Sequence, residues 1–166
     1  MKKFVLLFTL ALCVVFAGTA LALTATGTYQ ISATVAAAGT CTVGSGGLIF
    51  GVITPPLSSN VDGASSFTVN CPTGTPYAVA LSEGGSGDFN QRQMSEVLTP
   101  TNKLNYNLYT DGTYTSVWGD DIGATTTVSG TGTGTQQFLT PFVRVPAQTT
   151  PPPGDYSDMV TITVAY

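Results

Sequence analysis

The sequence contains no histidine, so the side chain most often used as a general base is missing. It also lacks a Gly-x-Ser-x-Gly elbow, a phosphate-binding loop and a dinucleotide fingerprint. Charge is scarce as well. Charged residues make up 8% of the chain, against about a quarter in an ordinary soluble domain. Cations are the rarest of them, with five Lys and Arg against nine Asp and Glu. A phosphate backbone needs clustered cations, so the composition argues against nucleic acid as a partner. Thr, Ser and Gly stand where the charges would be. Such a surface suits packing against other protein better than colloidal solubility.

The main apolar run, residues 4–17, falls short of the ~20 residues that span a bilayer. Lys2 and Lys3 precede it, and Ala20 and Ala22 follow at the small-residue positions of a cleavage site. This pattern predicts a secretory signal peptide over residues 1–22. Cys13 invites a lipoprotein reading, but it sits inside the run behind the bulky Leu12. Cleavage would remove both lysines and take the net charge from −4 to −6. It would also remove Cys13, leaving Cys41 and Cys71. In an exported, oxidising compartment that pair reads as one disulfide, worth roughly 3–4 kcal/mol by loop closure. Two thiols without histidine are too few ligands for a metal centre, and no cofactor is expected.

The rest is short alternating or apolar bursts between Gly, Pro, Asn and Asp, the pattern of an all-β sandwich or barrel. Residues 24–35 are the cleanest case. Ala25, Gly27, Tyr29, Ile31, Ala33 and Val35 share one face, and five Thr or Ser residues with Gln30 share the other. Further strands are predicted at 47–53, 65–71, 76–82, 103–110, 113–118, 124–130, 136–147 and through the C-terminal stretch 156–166. Asp111-Gly112 marks a hairpin turn. Residues 83–97 read mostly as loop with room for a short helix. The Pro-rich stretch 148–155 cannot be a central strand.

Few residues invite a catalytic reading. Asp111, Asp120, Asp121 and Asp155 sit in turn contexts, where Asp supplies local hydrogen bonds. That reading outweighs a glycosidase pair or a calcium site, which needs six to eight oxygens. Arg92, Lys103 and Arg144 read as solvated surface charges, each able to pair with a carboxylate or a partner subunit. Phe50, Phe67, Tyr77, Tyr106 and Trp118 read as core filling rather than a sugar-binding platform.

The C-terminal stretch is the architectural oddity. Tyr156, Val160, Ile162, Val164 and Tyr166 alternate with smaller or polar residues up to the last position. Edge strands are normally kept short, charged or covered, and this one has no lysine. A spare alternating strand before Cys41 and an uncovered strand at the other end predict β-strand addition between copies. The alternative is that residues 24–35 fold back as the domain's own strand.

Several motifs carry a family resemblance: "CTVGSGGLIFG", "FTVNCPTGTPYAVALSEGG", "RQM" at 92–94, "LNYNLYTDGTYTSVWGDD" and "PFVRVPAQTTPPPGDYSDMVTITVAY". In this order and spacing the chain resembles the spore coat protein U domain, shared with subunits of archaic chaperone–usher pili. The segment "PFVRVPA" departs from related sequences, which commonly have a Gly before the Arg, and Pro141 would loosen pairing there. The resemblance implies an incomplete immunoglobulin-like β-sandwich lacking its last strand, with an N-terminal donor strand at 23–35 and a pilin domain at 36–166. It implies a non-enzymatic fibre or coat subunit, supporting adhesion and biofilm formation, that passes through the periplasm to the cell surface. The implied partners are a periplasmic chaperone, an outer-membrane usher and other pilin subunits, in a homopolymer or a mixed fibre. Tyr29, Ile31, Ala33 and Val35 would be the donor residues. Val160, Ile162, Val164 and Tyr166 would form the acceptor edge. The competing expectation is a self-contained surface-binding module or tip adhesin, which would usually carry a further recognition domain.

Overall fold

The computed structural model describes residues 39–44, 46–47 and 50–166, all within the unit Ala36–Tyr166. The expected signal peptide and donor segment therefore lie outside the described residues. The ordered elements are strands, apart from one 3₁₀ turn at Gly84–Ser86. They are β1 (Thr42–Gly44), β2 (Val61–Ala64), β3 (Phe67–Asn70), β4 (Pro76–Leu81), β5 (Arg92–Glu96), β6 (Lys103–Tyr109) and β7 (Val117–Trp118). β8 (Thr125–Thr126), β9 (Val128–Thr131), β10 (Gln137–Leu139), β11 (Phe142–Val145), β12 (Tyr156–Ser157) and β13 (Ile162–Ala165) complete the set.

These strands form three hydrogen-bonded sheets around one core. β1-β3-β10 is one sheet, β13-β4-β9 another, and β12-β5-β6-β11-β2 the third, to which β7 and β8 attach. Alternation decides what faces inward. Phe67 and Val69 of β3, Tyr77, Val79 and Leu81 of β4, and Leu104, Tyr106 and Leu108 of β6 are buried, as are Val143 and Val145 of β11. Trp118 lies in their midst, its ring centroid 5.8 Å from that of Phe67, and its indole N–H donates to Val79 O at 2.9 Å. Phe67, Tyr77, Tyr106 and Trp118 are thus core residues, as their strand spacing predicts. Cys41 and Cys71 are disulfide-bonded, with their Cα atoms 4.2 Å apart. They flank the β1–β3 pairing at Thr42↔Asn70.

The structure corrects the predicted elements where the chain changes sheets. The C-terminal stretch is not one strand. β12 pairs with β5, whereas β13 pairs with β4, and the backbone turns between them at Asp158, whose Oδ1 accepts from Gly85 N and Met159 N. Residues 136–147 likewise break at Pro141, which cannot donate to a ladder. β10 stays with β3 and β11 joins β6 and β2. The stretch 124–130 divides at Thr127, held by the Asp121 carboxylate through N and Oγ1 at 2.7 and 2.8 Å. The Asp111-Gly112 hairpin is present, but β6 and β7 meet only at Tyr109↔Val117, with Tyr114 at φ 59 in the wide loop. The predicted strand at 47–53 does not form over its described residues. Gly51 takes φ +69 there, in the left-handed region that interrupts an extended run.

The expected loop at 83–97 instead contains β5, whose inward face is polar. Arg92 and Glu96 are buried and Met94 half-buried, so its alternation is carried by charge. The expectation of a solvated Arg92 is wrong. Its guanidinium is fully buried and donates to Ser82 O (2.9 Å), Leu81 O (3.2 Å), Trp118 O (2.8 Å) and Asn107 Oδ1 (2.7 Å). These acceptors belong to two sheets and the corner after β4, so one side chain ties them together. Burial pulls the Arg92 pKa down, with Tyr106, Asp158, Glu83 and Asp120 opposing the shift.

Two stability tests follow from this frame. Arg92→Met removes the donor to four acceptors, of which Asn107 Oδ1 keeps the Leu108 N–H, and buried unpaired groups cost about 1–3 kcal/mol each, partly relieved by relaxation. We expect a loss of at least ~3 kcal/mol in urea denaturation, with the m-value unchanged. The double variant Cys41→Ser/Cys71→Ser should lose roughly 3–4 kcal/mol, and dithiothreitol should reproduce that loss in the wild-type chain but not in the variant.

Candidate functional site: an open apolar groove

β13 is hydrogen-bonded on one side only among the described residues, to β4. Its apolar positions are correspondingly under-covered. Val160, Ile162 and Val164 pack against the core yet remain half-buried, whereas inward positions of β4 are fully buried. A groove of about 960 Å³ opens beside it. Core residues line it, including Leu104, Tyr106 and Leu108 of β6, Phe67 of β3 and Val143 of β11. Phe50, Val52, Ile53 and Leu57 line it from the irregular segment after β1, and Val160 and Ile162 from the C-terminal stretch. Val52 is 94% exposed. An apolar channel of this size among the described residues marks a candidate interaction surface.

The predicted acceptor residues divide. Val160 and Ile162 line the groove. Val164 packs against the core without lining it, and Tyr166 is 58% exposed and outside it. Tyr29, Ile31, Ala33 and Val35 lie outside the described residues.

The carboxylates behave as turn residues. Asp120 Oδ1 accepts from Ile122 N at 3.1 Å and Asp111 Oδ1 from Thr113 N at 2.8 Å. Among the described residues, no cluster of three or more His, Cys, Asp or Glu could hold a metal. Asp158 is the exception in role. Its Oδ2 accepts from the Tyr106 hydroxyl at 2.7 Å, inside the groove lining. Burial, reinforced by that bond, pushes the Tyr106 pKa well above its ordinary value, so the hydroxyl stays a donor. Sequence reading missed this pair because its members lie fifty-two residues apart. It missed the 50–57 lining because that segment forms no strand.

The other two cations differ from one another. Lys103 is exposed and donates to Ser95 Oγ at 2.7 Å. Arg144 makes a two-bond pair with Asp62 at 2.7 and 2.8 Å and lies 3.8 Å over the Tyr114 ring, so it is not a free surface charge. The hydrogen bond from Arg144 holds the Asp62 carboxyl below its ordinary value. A carboxylate with a depressed pKa stabilises the fold above its unfolded pKa of about 3.9, and the benefit is lost as pH falls. Carboxyl-carbon NMR should therefore place the Asp62 midpoint below that of a free Asp, and Arg144→Ala should raise it.

Fold and groove together define an all-β sandwich subunit whose apolar groove stands open among the described residues. The chain belongs to the Spore Coat Protein U domain family, matched over residues 25–163. This is a structural, non-enzymatic family to which subunits of chaperone–usher pili belong. Among solved structures, the chain is similar to one in the pre-assembly complex of the chaperone CsuC with the tip adhesion subunit CsuE, from archaic chaperone-usher Csu pili of Acinetobacter baumannii. The identity is 25% and the TM-score 0.52, over 76% of this chain and 39% of that one. The chain thus spans about two-fifths of that relative's length. No curated protein matches it.

Proposed function

We infer that the protein is a fibre-forming pilus subunit that polymerises by donor-strand exchange. The observation that carries this reading is the apolar groove beside a strand that, among the described residues, is bonded on one side only. The domain is then an incomplete immunoglobulin-like sandwich, and residues 23–35 of another copy supply the strand it lacks. Tyr29, Ile31, Ala33 and Val35 enter the groove, and Val160 and Ile162 line the receiving side. Burying the three larger of those donor side chains contributes roughly 5–9 kcal/mol, to which ladder hydrogen bonds add. Before assembly a periplasmic chaperone occupies the groove, in the manner suggested by a relative that was crystallised with one. An outer-membrane usher then carries the subunits to the cell surface, where the fibre serves adhesion and biofilm formation.

A place at the fibre tip is the second reading, favoured by the tip adhesion subunit in the similar complex. Deleting residues 23–35 separates the possibilities. The truncated chain should still bind a chaperone and still accept a donor from an intact copy, but should not donate, so truncated chains alone form no multimers. Normal polymerisation of the truncated protein would sink the donor-strand reading. A mature chain that remains a stable monomer without a chaperone would favour the self-contained alternative.

A further inference from the structure

The groove lining is apolar except at a few points. Ser65 and Thr150 direct their hydroxyls to Gly47 O and to the N–H of Leu57, and Asp155 and Ser157 are exposed. The Asp158–Tyr106 pair is different. Tyr106 belongs to the buried floor and its hydroxyl donates to Asp158 Oδ2. Asp158 Oδ1 is already occupied by Gly85 N and Met159 N, at 2.9 and 2.8 Å. A carboxylate oxygen has two acceptor sites, so Oδ2 retains capacity for a second donor.

The segment assigned above as occupant has one feature that matches. On the face formed by Ala25, Gly27, Tyr29, Ile31, Ala33 and Val35, a single side chain carries a polar atom, that of Tyr29. We propose that the Tyr29 hydroxyl of the incoming copy donates to Asp158 Oδ2 and that this pairing sets the register of insertion. The inference rests on the donor-strand reading and adds a specificity rule to it. An apolar face alone does not fix register, because a slip of two residues keeps the same face inward. Such a slip would put Gly27 or Ile31 opposite the carboxylate and bury the Tyr29 hydroxyl among aliphatic side chains. A slip of one residue would turn the Thr and Ser face inward.

The test follows formation of SDS-resistant multimers from the refolded mature full chain, with thermal unfolding of each variant as the check on folding. Tyr29→Phe should slow assembly roughly tenfold, the scale of one hydrogen bond to a charged group. In an Asp158→Ala background the same change should have no further effect. In a Tyr106→Phe background Tyr29 becomes the one hydroxyl available to Oδ2, so Tyr29→Phe should cost more than tenfold. An equal effect in all three backgrounds, or none in the wild type, overturns the pairing. If Asp158→Ala does not fold, the Tyr106→Phe comparison decides. A wild-type chain that assembles equally well without residues 23–35 overturns the underlying reading instead, and this pairing with it.

Discussion

The structure depends on a buried guanidinium. An uncovered apolar groove in water is under pressure to collapse, because closing it removes apolar surface from solvent. Arg92 opposes that collapse at one end of the sandwich. Its four bonds fix the ends of β4 and β7 and the middle of β6 at set separations. Hydrogen bonds to a charged donor are directional and stronger than neutral ones, so the sheets cannot slide together without breaking several at once. The Trp118 indole bond to Val79 O and the Cys41–Cys71 bridge brace other parts of the frame. Under the donor-strand reading, a groove held open in this way receives a strand without first having to form, which lowers the ordering cost of association.

Two segments change sheets at the groove. Had 136–147 continued as one strand past Pro141, β11 would have stayed beside β3 instead of joining β6 and β2. Had 156–166 continued as one strand, Val160 and Ile162 would have extended the β12–β5 pairing. Asp158 prevents that by collecting Gly85 N, Met159 N and the Tyr106 hydroxyl. The same carboxylate therefore bends the chain away from β5, steers β13 to β4 and presents an acceptor to the groove. Its two oxygens divide the work, Oδ1 holding two backbone N–H groups of the turn and Oδ2 the Tyr106 hydroxyl of the groove floor.

How much of this was legible follows from where each signal resides. Strands whose inward positions are apolar, such as β3, β4 and β6, read directly from alternation. So did the bonded pair Cys41 and Cys71, from compartment and count. β5 did not, because the rule equating inward with apolar fails where a buried cation finds four acceptors across the fold. Residues 47–53 looked like a strand because Leu, Ile, Phe and Val suit one, but Gly51 breaks the run and Phe50, Val52 and Ile53 line the groove instead. The same composition thus marked a real apolar surface and named the wrong secondary structure. On the C-terminal side, alternation marks four residues as an expected acceptor edge, of which Val160 and Ile162 line the groove and Val164 and Tyr166 do not.

Folding and association draw on the same apolar surface in such a molecule. A partner that binds only the folded groove stabilises the subunit by mass action, in proportion to the logarithm of its concentration over its dissociation constant. Under the donor-strand reading, any two occupants of the groove compete, and exchange between them needs only a difference in affinity. The half-buried Val160 and Ile162 and the exposed Val52 represent stability that the free subunit forgoes. A more fully covered β13 would make a more stable monomer and, under the same reading, would close the site through which copies join. Within a fibre, the low charge of the surface would follow the same logic, because residues that face a neighbour gain little from being solvated.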